Sequence, residues 1–269
     1  MGSRLLAALS MCAMALALAY ALTVGVFSIY IPIELRPLAK ILVTSAYNES
    51  TPLFSSMTPE IVTAVVWDYR GIDTFFEVAV FYVAIVATAA LFRGIERSAP
   101  RTSVGLSTIV RTVTRIVALM IVVVGSAIIL HGHLTPGGGF QGGATIAVAV
   151  ALALVAYGLA KLVEHRIDYE TSLKVRSLGL LGLSLSACIA LIAALILNTN
   201  AYVFQNQPKT YAPIGLPYAV DGVLISGTVL LLNIFDGIAV AAGFALLLIL
   251  LSQPEDVARE RVLSSEGGE

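Results

Sequence analysis

Six stretches of the chain are apolar and about long enough to cross a lipid bilayer, and they constrain the fold more than any other feature. They are Leu5–Ile31, Phe75–Phe92, Ile109–Leu130, Thr145–Leu162, Leu178–Leu197 and Val223–Leu251. A hydrocarbon core of about 30 Å needs about 20 apolar residues in a helix. The runs lack the alternation of barrel strands, and unpaired backbone groups are costly in lipid, so each run is predicted to be helical. The sequence therefore predicts an all-α, polytopic membrane protein with about six transmembrane helices.

The composition excludes several classes of function. Of the 269 residues, 58% are hydrophobic and 12% are charged, whereas soluble domains have about 45–50% and 25%. A net charge of −1 and the lack of a basic stretch argue against nucleic acid as a partner. Cys12 and Cys188 lie inside apolar runs and provide neither a disulfide framework nor a metal site. No nucleophile–base pair or cofactor motif occurs, so no catalytic, cofactor-binding or metal-binding residue is assigned to this chain.

The first and last runs each allow two interpretations. Ala17-Leu18-Ala19 has the form of a signal-peptide cleavage site, but the run continues to Ile31, so a retained helix is favoured. The last run spans 29 residues and carries Asn233 and Asp236 near its middle. It either tilts and protrudes from the membrane or is interrupted at these residues.

The basic residues predict which side of the membrane each loop occupies. With six spans, eleven lie on the amino-terminal side: Arg4, Arg93, Arg97, Arg101, Arg111, Lys161, Arg166, Lys174, Arg176, Arg259 and Arg261. Four lie on the other side: Arg36, Lys40, Arg70 and Lys209. Since cytoplasmic loops are rich in Lys and Arg, this bias predicts that both termini are cytoplasmic.

The distribution of spans and polar segments divides the chain into four parts. A two-span part covers residues 1–92, a polar cytoplasmic linker covers 93–107, a four-span part covers 108–252, and a charged cytoplasmic tail covers 253–269. Between the first two spans, Thr58-Pro59-Glu60 has the pattern of a helix start, with Thr58 as the N-cap. A short helix on the membrane surface is predicted to follow.

An acidic cluster leads directly into the second span. It contains Asp68, Arg70, Asp73 and Glu77, and the last two are four residues apart, which places them on one face of a helix. Two such carboxylates can titrate separately, as a proton or sodium relay requires. Alternatively, Thr74 and Glu77 form a capping box, and Asp68 pairs with Arg70 at the surface.

A glycine-rich segment joins the third and fourth spans. Residues 136–143 comprise Pro136, Gly137, Gly138, Gly139, Phe140, Gln141, Gly142 and Gly143. This composition disfavours an ordinary helix and indicates either a re-entrant turn or a close approach of neighbouring helices. His131 and His133 precede the segment and serve either as a proton relay or as interfacial structure.

Asp236 lies near the middle of the last run, where an unpaired carboxylate is most expensive. It is therefore expected to face protein or a water-filled cavity. An ion-path role and a structural pair with another subunit are both consistent with this position.

Two segments together resemble the multisubunit Mrp-type cation/proton antiporters. Residues 62–80 resemble the carboxy-terminal end of the large antiporter subunit, and the matching positions are Asp68, Arg70, Gly71, Asp73, Thr74 and Glu77. The second segment resembles the signature of the small B-type subunit, with matches at Gly132, His133, Pro136, Gly137, Gly138, Gly139, Phe140, Gly142 and Gly143. Residues 233–244 resemble the last helix of that B-type subunit. Archaeal membrane-bound hydrogenases and related respiratory complexes contain the same pair as adjacent small subunits, whereas here both lie on one chain.

The resemblance implies a subunit of a sodium/proton translocating module in the cell membrane, with other membrane subunits as partners. Glu77 would pass protons or help to hold sodium, Asp73 and Arg70 would tune its charge, and the glycine turn would shape the cavity. The candidate ion-path residues are Asp68, Arg70, Asp73, Glu77, His131, His133 and Asp236, and the candidate shaping residues are Gly71, Pro136, Gly137, Gly138, Gly139, Phe140, Gly142 and Gly143.

No cofactor is expected in the chain itself beyond transient Na⁺ or H⁺. Partner subunits of a redox-driven complex would carry iron–sulfur clusters or nickel–iron. A purely structural scaffold subunit is the main alternative, and a self-sufficient secondary transporter is a third hypothesis.

Overall fold

The computed structural model describes residues 2–23, 34–92 and 105–252 of the chain. The helices are α1 (Gly2–Thr23), α2 (Pro37–Ala46), α3 (Ile61–Ala64), α4 (Gly71–Leu91), α5 (Thr108–His131), α6 (Gly139–Tyr157), α7 (Leu159–Glu164), α8 (Tyr169–Leu197) and α9 (Thr228–Leu251). A 3₁₀ turn covers Pro52–Phe54, and a π-helical turn, Val65–Tyr69, continues α3. The strands β1 (Ala219–Val220) and β2 (Val223–Leu224) form an antiparallel hairpin.

Five helices are long and apolar enough to cross a membrane: α4, α5, α6, α8 and α9. The all-α prediction is confirmed, and the chain is a multi-pass membrane protein. The apolar part of α1 covers only Ala8–Thr23. The rest of the first predicted run, together with most of the predicted linker and the whole tail, lies outside the described residues. A sixth span therefore stays a prediction.

The described residues belong to two units. Residues up to Ile41, which include α1 and the start of α2, form one unit, and those from Leu42 onward form the other. In the first unit the side chains of α1 are largely exposed. The second unit contains every element described below.

Helix α9 is the centre of the second unit. It packs closely against α6 and α8 and also contacts α4 and α5. Because it is apolar around its whole circumference, burial on all sides is the favourable arrangement. Small residues allow the close approach: a Cβ at Gly179 of α8 would come within 2.7 Å of the Ala239 backbone nitrogen.

The structure excludes one of the two interpretations of the last apolar run. Helix α9 is continuous from Thr228 to Leu251, so the interruption near Asp236 is wrong. The beginning of the run, Val223–Leu224, pairs with Ala219–Val220 instead. Asp221 and Gly222 at the hairpin tip have φ values of 50° and 80°, as a two-residue type I′ turn requires.

Two helices begin earlier in the chain than the sequence predicts. Helix α6 begins at Gly139 rather than Thr145, so the part of the glycine segment predicted to disfavour helix is largely helical. Helix α8 begins at Tyr169 rather than Leu178, because the Asp168 side chain caps it by accepting a hydrogen bond from the Thr171 amide at 2.7 Å. Arg176 is therefore inside a helix and not in the preceding loop.

The short helix before α4 begins later than the sequence pattern indicates. Its N-cap is Glu60, whose side chain accepts a hydrogen bond from the Thr63 amide, so the prediction of Thr58 as N-cap is wrong. Thr63, Ala64 and Trp67 are buried against the rest of the unit, and a position of the helix along the membrane surface stays a prediction.

Candidate functional site

A cavity of about 550 Å³ lies between four elements. They are α3 with the π-helical turn that continues it, α4, the glycine turn (residues 136–143, which include the start of α6) and α9. Most of its lining is apolar, but polar and ionisable side chains contribute from every one of these elements. They are Thr63, Trp67, Thr74, Glu77, Gln141, Asn233 and Asp236. A concave, mostly apolar site with a few converging polar groups is the usual form of a binding site.

Glu77 enters the cavity because of where α4 begins. The helix starts at Gly71, so Thr74 is already inside it and its hydroxyl donates to the Val66 carbonyl at 2.7 Å. The capping-box alternative is therefore wrong. Glu77 lies in the second turn of α4, where its carboxyl group is exposed and lines the cavity, so the cavity is reached from the surface of this chain.

The other charged residues of the acidic cluster lie outside the cavity. Arg70 and Asp73 form an ion pair of 2.6 Å, with side chains 69% and 61% exposed. The alternative pairing of Asp68 with Arg70 is wrong. Asp73 and Glu77 share α4 as their spacing predicted, but only Glu77 lines the cavity.

Asp68 faces Lys209 and Ser56, in the loop region beyond the helices. Burial raises the pKa of the Asp68 carboxyl group, and nearby Lys209 partly opposes this. Burial likewise lowers the pKa of Lys209, and Asp68 opposes that change. The Lys209 ammonium group also donates to the Ser55 carbonyl at 2.9 Å. Asp68 thus contributes to loop contacts and does not line the cavity.

The glycine turn brings α6 against α9 at the cavity. Gly138 has φ 139°, a conformation that favours glycine, and it is the N-cap of α6. A Cβ at Gly139 would come within 2.5 Å of the Asn233 carbonyl oxygen and 2.6 Å of Asp236 Oδ2. The start of α6 therefore lies directly beside Asp236, where the helix dipole favours negative charge.

Asn233 and Asp236 are both buried in the wall of the cavity, with 1% and 4% exposure. Asn233 Oδ1 accepts a hydrogen bond from Trp67 Nε1 at 2.8 Å. Asn233 Nδ2 and Asp236 Oδ1 have no hydrogen-bond partner among the described residues. Buried polar atoms are normally satisfied, so Asp236 Oδ1 indicates a place for a cation or water, and the donor Asn233 Nδ2 indicates a place for water or another acceptor.

The two predicted histidines occupy different environments, and neither lines the cavity. His131 ends α5 and is exposed, whereas His133 is buried and its Nε2 donates to the Leu224 carbonyl at 3.1 Å. Burial lowers the pKa of His133, so its imidazole is neutral at pH 7. The Thr63 hydroxyl donates to the Gly132 carbonyl at 2.6 Å, which ties the same turn to α3.

Arg176 was missed as a candidate by the sequence analysis, which placed it in a loop. It is 0% exposed, and its Nη1 donates to the Ala239 carbonyl at 3.0 Å. Its guanidinium lies 4.8 Å from the ring centre of Phe81, a residue that lines the cavity. The sequence does contain a signal for its helical position, namely Asp168 as an N-cap residue and Glu170 as an acidic residue in the first turn. Together they indicate a helix start before Arg176.

Possible ligands for a cation in the cavity are the carboxyl groups of Glu77 and Asp236 and the hydroxyls of Thr63 and Thr74. Within residues 2–23, 34–92 and 105–252 no group of three or more His, Cys, Asp or Glu side chains is placed to hold a metal ion.

Comparison with known proteins identifies one family model and several similar proteins. A family model described as "Domain related to MnhB subunit of Na+/H+ antiporter" matches residues 109–246. An uncharacterised protein of Methanocaldococcus jannaschii is 29% identical over 256 residues, which cover 85% of this chain and 92% of that protein. An mnhB2 protein of Staphylococcus haemolyticus, named as an antiporter subunit, is 26% identical over 106 residues, 39% of this chain and 70% of that protein.

Two solved structures contain similar chains. One belongs to the membrane-bound sulfane sulfur reductase, an archaeal respiratory membrane complex, with a TM-score of 0.64 and 27% identity. That match covers 94% of this chain and 100% of the other. The second belongs to the Mrp complex from Dietzia sp. DQ12-45-1b, with a TM-score of 0.57 and 17% identity, and it covers 91% of this chain but 26% of the longer Dietzia chain.

Proposed function

The chain belongs to the family of domains related to the MnhB subunit of Na⁺/H⁺ antiporters, and from this premise we propose that its cavity is a cation-binding step on an ion path. The chain is a membrane subunit of a Na⁺/H⁺ translocating module. The similar solved chains belong to multisubunit membrane complexes, and other membrane subunits are its partners.

The observation that carries the proposal is the meeting of Glu77 and Asp236 in one cavity. They come from different helices, α4 and α9, and Asp236 lies within electrostatic range of Glu77. Ionisable residues in membrane helices are expensive and face the protein interior or a water-filled cavity, where they commonly serve ion pathways. In this proposal Glu77 receives the cation or proton at the open side and Asp236 holds it deeper in the cavity.

The scaffold alternative explains these groups less well. A structural polar group gains stability only when its hydrogen bonds are satisfied, and an unsatisfied one is a penalty. Asn233 Nδ2 and Asp236 Oδ1 are unsatisfied where they meet the cavity, which favours a ligand-binding role over packing alone.

We further propose that the parent assembly is a redox-driven respiratory complex rather than a stand-alone antiporter. The support is the match to the whole of one chain of the sulfane sulfur reductase complex. Residues 1–92 are proposed to correspond to the end of a large antiporter subunit; the Dietzia match, which covers 91% of this chain within one much longer chain, supports the occurrence of both parts on one polypeptide. Both termini are proposed to be cytoplasmic on the basis of the basic residues.

The Glu77→Gln variant tests the ion-path role, because it removes the charge and nearly keeps the shape. In membrane vesicles we expect normal assembly and a fall in sodium-dependent transport of at least about tenfold, since intramembrane carboxylates are rarely replaceable. Glu170→Gln is the matched control, because Glu170 is 74% exposed in a surface ion pair with Lys174. Normal assembly with unchanged transport would establish the scaffold role instead.

The identity of the assembly is tested by purification from native membranes in mild detergent. We expect subunits carrying iron–sulfur clusters to accompany the tagged chain in mass spectrometry. Antiporter-like membrane subunits alone would contradict the redox-driven assignment while leaving the ion-path role intact.

A further inference from the structure

Arg176 contacts both helices that carry the carboxyl groups of the cavity, about one turn beyond Glu77 on α4 and beyond Asp236 on α9. Its guanidinium contacts Phe81, four residues after Glu77 on α4, and the Ala239 carbonyl, three residues after Asp236 on α9. At a rise of 1.5 Å per residue, these separations correspond to roughly 5–6 Å along each helix. Arg176 and Asp236 are within electrostatic range of each other.

Aromatic rings separate Arg176 from the cavity. Phe81, Phe140 and Phe244 form a cluster with ring centres 5.1–6.3 Å apart. Phe81 and Phe140 line the cavity, whereas Arg176 does not. A cation in the cavity would therefore act on the guanidinium through an apolar layer, where charges interact more strongly than in water.

The environment of Arg176 is not that of a structural ion pair. Among the described residues no carboxylate forms a salt bridge with it, and its Nε and Nη2 have no hydrogen-bond partner. A buried charge without a partner is strongly unfavourable, and the rings of Phe81 and Tyr82 offset only part of this. The fold nevertheless makes room for the group, because a Cβ at Gly243 would collide with Nη1.

We propose that Arg176 is the fixed counter-charge that sets how tightly the cavity holds a cation. With Glu77 and Asp236 ionised, the three groups carry a net charge of −1, which one monovalent cation neutralises. Arg176 thereby limits the cavity to a single Na⁺ or proton and weakens its retention, so that the ion is released. This inference rests on the proposed ion path and adds a positioning residue to it.

The test compares the sodium dependence of transport in vesicles that contain the assembled complex. Arg176→Gln is expected to lower the KM for Na⁺ about tenfold and to lower the maximal rate as well, because a counter-charge at this range changes affinity on that scale. Arg176→Lys keeps the charge and should restore the KM to within about twofold of wild type. Lys174→Gln is the control, since Lys174 lies on the same helix but is 74% exposed.

The outcomes separate this inference from the proposed function. An Arg176→Gln complex with an unchanged KM, while Glu77→Gln abolishes transport, overturns only the role of Arg176. Wild-type transport that depends on neither Na⁺ nor pH, or full activity of Glu77→Gln, overturns the ion path itself. If Arg176→Gln does not assemble, Gly243→Ala displaces the guanidinium without removing its charge, and the KM should again change. Failure of both variants to assemble would assign Arg176 to folding and overturn the inference.

Discussion

The second unit contains two buried polar regions that differ in how far their hydrogen bonds are satisfied. One is a loop cluster between the segment after α2 and the long loop that joins α8 to α9. Its members are Ser55, Ser56, Gln205, Asn206, Gln207, Ser226 and Thr228, all of them buried. The other is the cavity wall with Asn233 and Asp236, which the exposed Glu77 joins at the surface, together with Arg176 behind it.

In the loop cluster, side-chain amides and hydroxyls donate to backbone carbonyls of the same loop and of the segment after α2. Asn206 Nδ2 donates to the Ser56 carbonyl at 2.8 Å, and the Ser226 hydroxyl donates to the Met57 carbonyl at 2.9 Å. Gln205 Nε2 donates to the Ala212 carbonyl at 2.7 Å. These bonds satisfy backbone groups that have no helix to satisfy them, so the polar residues there hold the loops together.

In the loop cluster only Asn206 Oδ1 has no partner among the described residues, whereas in the cavity and behind it Asn233, Asp236 and Arg176 together retain four such atoms. The comparison teaches that burial of polar residues does not by itself indicate function. Satisfied groups hold structure together, whereas unsatisfied groups that meet a cavity indicate a ligand or a counter-charge.

The largest expected effect is that of Asp236→Asn on transport. The change removes an ionisable group from the cavity, so transport should fall at least about tenfold, while thermal stability stays equal or rises because the buried carboxyl group forms no salt bridge among the described residues and its Oδ1 has no hydrogen-bond partner. Sodium-dependent transport and thermal melting of the purified complex measure the two effects. Asp221→Asn, in the exposed tip of the hairpin, is the control. Retained transport with lowered stability would place Asp236 with the structural groups.

Asn206→Ala should have the opposite effect to Asp236→Asn, since it is expected to lower stability without lowering transport. It removes the hydrogen bonds from Asn206 Nδ2 to the Ser56 carbonyl and hydroxyl and leaves the carbonyl only the longer bond of 3.3 Å from the Thr58 hydroxyl, which is expected to lower the free energy of unfolding by about 1–3 kcal/mol. Transport per assembled complex should be unchanged. Asn200→Ala, at an exposed position, controls for the loss of an amide side chain. A stable Asn206→Ala complex that has lost transport would remove the distinction between the two regions.

The smallest expected effect concerns His133 and the pH dependence of stability. Burial lowers the pKa of His133 in the folded chain. Below about pH 6.5 the imidazole is therefore protonated more readily in the unfolded chain than in the folded chain. Stability is therefore lost as the pH falls. His133→Gln should reduce this loss by a few degrees of melting temperature between about pH 7.5 and 5.5. His131→Gln, at an exposed site, should leave the loss intact; an equal reduction in both variants would contradict the assignment.

Hydropathy predicted the five long helices because each must bury about 20 apolar residues in lipid or protein, and that requirement is visible in the sequence. The helix starts were less predictable. The caps of α6 and α8, Gly138 and Asp168, lie several residues before the apolar runs, where hydropathy carries no signal. Arg176 was consequently placed in a loop.

The candidate site was predictable only in its separate pieces. The spacing of Asp73 and Glu77 indicated a shared helix face, and the glycine spacing indicated close helix contacts, which Gly142 and Gly143 make with α5 and α9. The meeting of Glu77 with Asp236 depends on the packing of α4 against α9 and has no local signal. The sequence likewise could not distinguish Glu77 as a cap from Glu77 as a cavity residue, because this depends on Gly71 starting the helix.

The central claim, that Glu77 and Asp236 bind a cation together, is tested most directly by chemical labelling. An apolar carbodiimide, which reacts with carboxyl groups away from bulk water, is applied to the purified complex, and mass spectrometry quantifies modification of Glu77 and Asp236. The account predicts modification of at least one of them at low Na⁺ and protection by added Na⁺ but not by choline at equal ionic strength. Modification that Na⁺ does not alter would contradict a cation site in this cavity.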